Sequence, residues 1–304
     1  MYNLAMGDID VPRACDSSKD SLMTTATTFS WDKDDWASLN EMADGFDEYR
    51  PAYSAGLAGH TLDVDGVYDD SGEKVVITHG FGEETLSWSF ADSAETTTGE
   101  GEGYELFEMQ PGLFYLHYRR NSAGHPTVVS AAIDTVAGLV TGAVGELGLE
   151  PHTHLARQRW FRGIIRGGAA ETEGRGRLHE RTDELVGRRV RYAYSSDDVY
   201  DHVYLNTNLF TWLCLGGAEI GVGDTDACTY WKLRENTYLF SWLEKNVGVE
   251  GMVLVDLNAL RSVGIQFGLD QQSGDLVNIT MGSYAHEFER AGGVDEVRPT
   301  PPSA

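Results

Sequence analysis

A chain of 304 residues, 41% hydrophobic and 11% aromatic, has the material for one large core or two ordinary ones, which excludes a disordered polypeptide. A formal net charge of −25 excludes a general nucleic-acid binder, because contact with phosphate needs a basic footprint. Three cysteines without CxxC spacing (Cys15, Cys214, Cys228) exclude a disulfide scaffold and suit a reducing compartment, and neither a signal peptide nor an apolar run near the ~18 residues of a membrane span is visible, so a cytoplasmic protein without membrane contact is expected.

In chain order, residues 1–30 are polar without a period and read as a flexible arm. From 31 to 150, short alternating segments such as VVITHGF (75–81), TLSWSF (85–90), LFYLHY (113–118) and TVVSAAID (127–134) are separated by turn formers such as DDSGE (69–73). Residues 151–184 read as an arginine-rich linker: between Arg157 and Arg191 there are ten arginines against five acids. That stretch suits charge compensation with the acidic remainder of the chain, capture of an anion, or docking of another protein. From 185 to 290 the alternation resumes in VRYAY (190–194), DHVYLN (201–206), LFTWLCL (209–215), TYLFSWL (237–243) and MVLVDL (252–257), and 291–304 is a tail. With 35 glycines, 8 prolines and no convincing long helix, the chain reads as all-β.

The two halves repeat each other. PGLFYLHYRRNSAG (111–124) aligns without a gap on ENTYLFSWLEKNVG (235–248) at an offset of 124, which also places TLSW (85–88) on LFTW (209–212). Asp134 and Gly142 answer Asp256 and Gly264 with the same spacing in both copies. Duplicated sets of short antiparallel strands predict two tandem barrels, since closure removes exposed edges.

No Walker loop, HExxH or GxSxG stands in the chain. DTD (224–226) with His202 and Glu219 matches no strong metal signature, so no metal or organic cofactor is expected. The second copy is richer in chemistry. Tyr192 and Tyr194 share a strand face, as do Tyr200, His202 and Tyr204. Tyr238, Phe240, Trp242 and Glu244 form another face, and Trp212 adds a further aromatic. Directed into one barrel, these residues would wall a cavity for a small aromatic or hydrophobic ligand, and desolvation would raise the Glu244 pKa toward neutrality.

RVRYAYSSDDVYDHVYLN (189–206) and LRENTYLFSWLEKNVG (233–248) resemble the phenolic acid decarboxylases, cofactor-free calycin-like barrels. The resemblance implies that Tyr192 and Tyr194 hold a carboxylate, with Tyr200 as the third tyrosine and Glu244 moving protons. That family's arginine, expected in a Gly-Arg-Trp sequence, is missing from AEIGVGDTDACTYW (218–231). Over the whole chain, HERTDELVGRRVRYAYSSDDVYDHVYLN (179–206), GDTDACTYWKL (223–233) and VLVDLNALRSVG (253–264) resemble the molybdenum cofactor biosynthesis protein F (MoaF) family. This implies two calycin (lipocalin-like) antiparallel β-barrels in tandem. No cysteine cluster or phosphate cradle suggests molybdenum or pterin chemistry.

The expectation is therefore a cofactor-independent lyase or isomerase acting by acid–base chemistry on a small aromatic or conjugated molecule, with or without a carboxylate. Glu244, Tyr192 and Tyr194 would be catalytic, and Tyr200, His202, Tyr204, Trp212, Tyr238, Phe240 and Trp242 would bind the ligand. A non-catalytic lipocalin-like carrier is the alternative, and homodimerisation is left open. In the first copy Arg120 stands where the second has Glu244.

Overall fold

The computed structural model describes residues 37–120, 125–148, 156–172, 177–270 and 272–288. The arm at 1–30 and the tail at 291–304 lie outside the described residues. Helix α1 (Leu39–Ala43) is followed by β1 (Thr61–Tyr68), β2 (Lys74–Phe81), β3 (Thr85–Ala91), β4 (Thr96–Gln110), β5 (Leu113–Arg120), β6 (Thr127–Asp134), β7 (Leu139–Leu147) and β8 (Ala156–Ile165). Each strand pairs antiparallel with the next, and β8 returns to β1 from Val64↔Ile165 to Tyr68↔Phe161, closing the first barrel.

Helix α2 (Ala169–Thr172) and β9 (Glu180–Arg181) lead to the second set: β10 (Arg189–Ala193), β11 (Val199–Tyr204), β12 (Leu209–Gly216), β13 (Gly223–Arg234), β14 (Thr237–Leu243), β15 (Val249–Asp256), β16 (Arg261–Leu269) and β17 (Leu276–Glu287). Pairing of β10 with β17 and of β12 with β13 closes this barrel as well, and β9 pairs with β13 at Trp231 and Lys232, beyond the part that β12 reaches. The fold is the expected all-β pair of tandem calycin-like antiparallel barrels.

Two boundaries differ from the sequence reading. The stretch read as a linker supplies β8, without which the first barrel stays open. Its Phe161 and Ile165 enter the first core while Ala156 and Trp160 pack outside, and interspersed arginines hide that alternation. The nine described arginines of the stretch all meet acids: Arg157 with Glu146, Arg159 with Asp70, Glu73 and Asp92, Arg162 and Arg181 with Asp69, Arg166 with Asp65, Arg177 with Glu180, Arg188 with Glu287, and Arg189 and Arg191 with Asp201. Charge compensation accounts for them.

The second difference is at the start. Residues 37–50, assigned from sequence to the first barrel, lie over the second. Ser38 caps α1 through a capping box, with Glu41 N–H donating to Ser38 Oγ (3.1 Å) and Ser38 N–H to Glu41 Oε2 (2.9 Å). Phe46 stacks on Tyr194 at 4.8 Å, Tyr49 N–H donates to Tyr194 O, and Arg261 donates to Tyr49 O (2.6 Å).

Burial along the strands shows why the barrels stay together. β2 and β3 alternate between buried and more exposed positions, as half-solvated strands do. β6 and β15 are buried at every position. Inward residues such as Leu116, Tyr118 and Val129 fill the first barrel. Outward residues such as Leu113, Tyr115 and Val128 meet Leu239, Met252, Leu254 and Ile265 from the second barrel in a core shared between the two. Gly142 and Gly264 hold equivalent places in this arrangement. A Cβ at either would overlap the neighbouring strand's backbone, at Ser130 O or Met252 O.

The rim of the interface carries the repeat's symmetry. Arg234 donates through Nε and Nη2 to Asp134 (2.8 and 2.9 Å), and Gln110, the counterpart of Arg234, donates to Asp256 (2.7 Å), the counterpart of Asp134. Burial opposes the Asp134 charge, but the Arg234 fork and the Ala137 N–H outweigh it and hold the carboxyl below its usual range. Arg234→Ala would leave a buried carboxylate without its counter-ion. We expect a loss of about 3–5 kcal/mol, read from the midpoint of urea unfolding at neutral pH.

Candidate functional site

The second barrel encloses a cavity of about 190 Å³ at the end covered by α1. Its wall comes from strands whose period-two pattern sends alternate residues inward. β11 supplies Tyr200 and His202, β12 supplies Phe210 and Trp212, and β14 supplies Trp242, with Glu244 just beyond its end. Tyr194 follows β10, Met42 comes from α1, Phe46 lies beyond it, and Gln266 comes from β16. Among the described residues no Lys or Arg lines the cavity.

Glu244 is reached by the cavity yet enclosed by protein. Its Oε1 accepts from Gln266 Nε2 (2.9 Å) and more distantly from Trp242 Nε1 (3.4 Å). Burial, followed by the nearby acids Glu219 and Asp226, pushes its pKa up to about 8. Glu219 lies in the turn after β12 and accepts from Tyr200 Oη (3.0 Å); burial pushes it up to about 7. Asp226, bonded by Trp212 Nε1 (2.9 Å) and Lys245 N–H (3.1 Å), is also raised by burial. Burial drives His202 the other way, to about 3, so its imidazole is neutral, and its Nδ1 is buried without a partner.

Of the residues expected from the sequence, Tyr194, Tyr200, His202, Trp212, Trp242 and Glu244 face this cavity. Four do not. Tyr192 and Tyr204 bond each other (2.8 Å) in the fully buried core, so Tyr192 sits too deep to touch a ligand there. Phe240 packs between Phe210 and Tyr230, and Tyr238 donates to Glu184 (2.8 Å). Both face inward as predicted, but at other levels along the barrel axis.

Sequence reasoning did not assign Glu219, Gln266, Met42 or Phe46 to the site. Glu219 stands in a Gly-rich turn that reads as solvated, and nothing local reveals that Tyr200 meets it. The SLNE capping box (38–41) is a legible helix start, although its docking on the other barrel is not. Cys214 and Cys228 are free and buried. Among the described residues no cluster of three or more His, Cys, Asp or Glu could hold a metal, and no helix is long and apolar enough to cross a membrane.

Fold and site together define a tandem calycin-like protein whose second barrel has an acid-lined, helix-capped cavity. The chain belongs to the MoaF family: residues 34–148 match the MoaF N-terminal domain and residues 179–291 the MoaF C-terminal domain. It is 41% identical over 105 residues to Protein MoaF of Klebsiella aerogenes, a match spanning 34% of this chain and 40% of that protein. A solved structure titled as a putative beta-lactamase from Burkholderia vietnamiensis aligns over 36% of this chain and all of its own, at 13% identity and a TM-score of 0.31, too weak to carry an argument. These matches do not bear on the resemblance to phenolic acid decarboxylases, and the described cavity wall, which has no arginine, departs from it.

The raised carboxyls have a consequence for stability. Glu244 is ordinarily half-titrated at 4.5 but holds its proton to about 8 when folded. Between those values the unfolded chain releases a proton that the folded chain keeps, so this contribution is full below 4.5 and lost as pH rises to about 8. Glu219 and the interface acid Glu250, also raised by burial, act in the same direction. Urea midpoints measured across this window should fall with pH. Glu244→Gln should make the fall shallower, stabilising the protein at the alkaline end and changing little at the acidic end.

Proposed function

We propose that the second barrel binds a small, neutral, ring-bearing or conjugated molecule and moves protons on it with Glu244 and Glu219. The observation that carries this reading is two carboxyl groups lining one aromatic-walled cavity, each raised toward neutral pH, with no cation among the described lining residues. Buried carboxyls that influence each other do not both ionise readily, so near neutral pH one of the two keeps its proton. Glu244, which burial keeps protonated near neutral pH, is assigned as the donor. Glu219, whose carboxylate accepts the Tyr200 hydroxyl bond, is the acceptor.

Removing a proton from one atom of a conjugated ligand and returning one to another is an isomerisation that balances without a co-reactant. Addition of water across a double bond uses the same two groups. A carboxylated substrate fits less well, because its charge would meet two acids and no counter-ion. Trp212, Trp242 and Phe210 pack the ring, while Tyr194 and neutral His202 offer polar contacts. At about 190 Å³ the cavity is below the ~300–1,000 Å³ of pockets for drug-sized ligands, which favours a molecule of about one ring.

The same aromatic wall supports a second reading, a carrier that binds without turnover. Incubation with neutral phenols and conjugated ketones in deuterium oxide, followed by mass spectrometry, separates the two. Wild-type protein is expected to introduce deuterium or form product, and Glu244→Gln to lower that rate by about 10²–10⁴-fold while tryptophan fluorescence still reports binding. Binding by the wild type without exchange or product would establish the carrier instead.

A further inference from the structure

One polar group of the cavity wall has a protein partner in the first barrel and none in the second. His79 pairs across the strands with Trp88, as His202 does with Trp212. Tyr118 on β5 and Trp242 on β14 hold matching places, by the offset of 124. In the first copy the imidazole is satisfied inside the protein, where His79 Nε2 bonds Tyr118 Oη at 3.0 Å. In the second copy an indole stands in place of that phenol. Its only polar group is a donor, which Trp242 turns toward Glu244. The exchange of Tyr for Trp releases the histidine from its partner.

His202 is 6% exposed and lines the cavity. Tyr192 at 4.9 Å, Phe210 at 5.2 Å and Phe240 at 5.9 Å surround its ring and fix its orientation. Nδ1 is shut into this wall with nothing to bond, so the ring meets the cavity along its Nε2 edge. Burial keeps the imidazole neutral, with a single N–H. On Nδ1 that proton would be buried without an acceptor. On Nε2 it points where a ligand can accept it, which selects the Nε2–H tautomer. Other donors of the wall are already committed to acids: Tyr200 to Glu219, Trp212 to Asp226, and Trp242 and Gln266 to Glu244.

We propose that His202 Nε2–H donates to a carbonyl oxygen of the ligand, so that the second barrel takes a ring ketone with a double bond near the carbonyl. The chemical step rests on the proton transfer assigned above to Glu219 and Glu244, whereas the binding contact stands without it. In that step Glu219 takes a proton from the carbon between the carbonyl and the C=C bond. The C–H electron pair becomes the second bond of a new C=C, and the C=O π pair moves onto oxygen. The His202 N–H meets the charge that develops there, in a site where a fixed donor is worth more than in water. Glu244 then gives its proton to the far carbon of the original C=C bond. The double bond has moved one position into conjugation, and the two carboxyls again hold one proton between them.

Calorimetric titration of the full chain with cyclohexenone and with cyclohexene tests the contact apart from turnover. The ratio of ketone to hydrocarbon affinity should fall about tenfold or more in His202→Phe, through weaker ketone binding alone. Retained cyclohexene binding reports an intact cavity in that variant. His202→Gln, whose amide N–H can also donate, should recover part of the ratio. Imidazole nitrogen resonances of the wild type should place the His202 proton on Nε2. An unchanged ratio in His202→Phe would overturn the proposal, as would a proton found on Nδ1 or a wild type that does not bind the ketone. The expected loss of ratio without deuterium exchange into the ketone would uphold the contact and overturn only the proton transfer.

Discussion

The shared core between the barrels is the constraint on which the rest of the structure depends. A barrel in water needs a polar outside, yet β5–β7 and β14–β16 are apolar on both faces over most of their length. Each barrel alone would expose a large apolar patch, and each supplies the other's cover. Some polar groups admitted to this contact are satisfied across it: Tyr115 Oη donates to Met252 O, Ser241 Oγ to Gln158, and Arg234 to Asp134, whereas Trp231 Nε1 and Glu250 Oε2 are buried without a partner. Because the repeat's symmetry runs through the interface, a change on one side has a counterpart on the other.

The interiors are free of that constraint, and there the copies have diverged. The interface fixes outward residues of the central strands; inward residues answer only to their own barrel. One position therefore holds Arg120 against Trp88 and Phe90 in one copy and Glu244 beside Trp242 and Gln266 in the other. The entering chain adds asymmetry. Residues 37–50 cross to the second barrel and place Met42 and Phe46 in its cavity wall before the first barrel begins. Enclosure by this segment contributes to the low dielectric around Glu244 and Glu219, and so to their chemistry.

Much of this was legible in the amino-acid order. Period two in TYLFSWLEK (237–245) puts Glu244 on the inner, aromatic face, and the offset of 124 identifies Arg120 as its counterpart. The arginine-rich stretch misled because charge obscured the alternation of β8. The tyrosines misled for another reason: alternation gives the direction of a side chain but not its depth. Tyr192 and Tyr194 point the same way, yet one is locked to Tyr204 in the core and the other lines the cavity.

The sequence by itself determined the strands, their inward and outward faces, the duplication and its place in the family, because these follow from local periodicity and from order along the chain. Only the tertiary structure decided that α1 closes the second barrel, that Glu219 joins Glu244, that nine described arginines of the 157–191 stretch meet acids, and which aromatics reach the cavity. Burial, pairing and pKa depend on groups far apart in sequence, and no local pattern encodes which distant residues will enclose a given side chain.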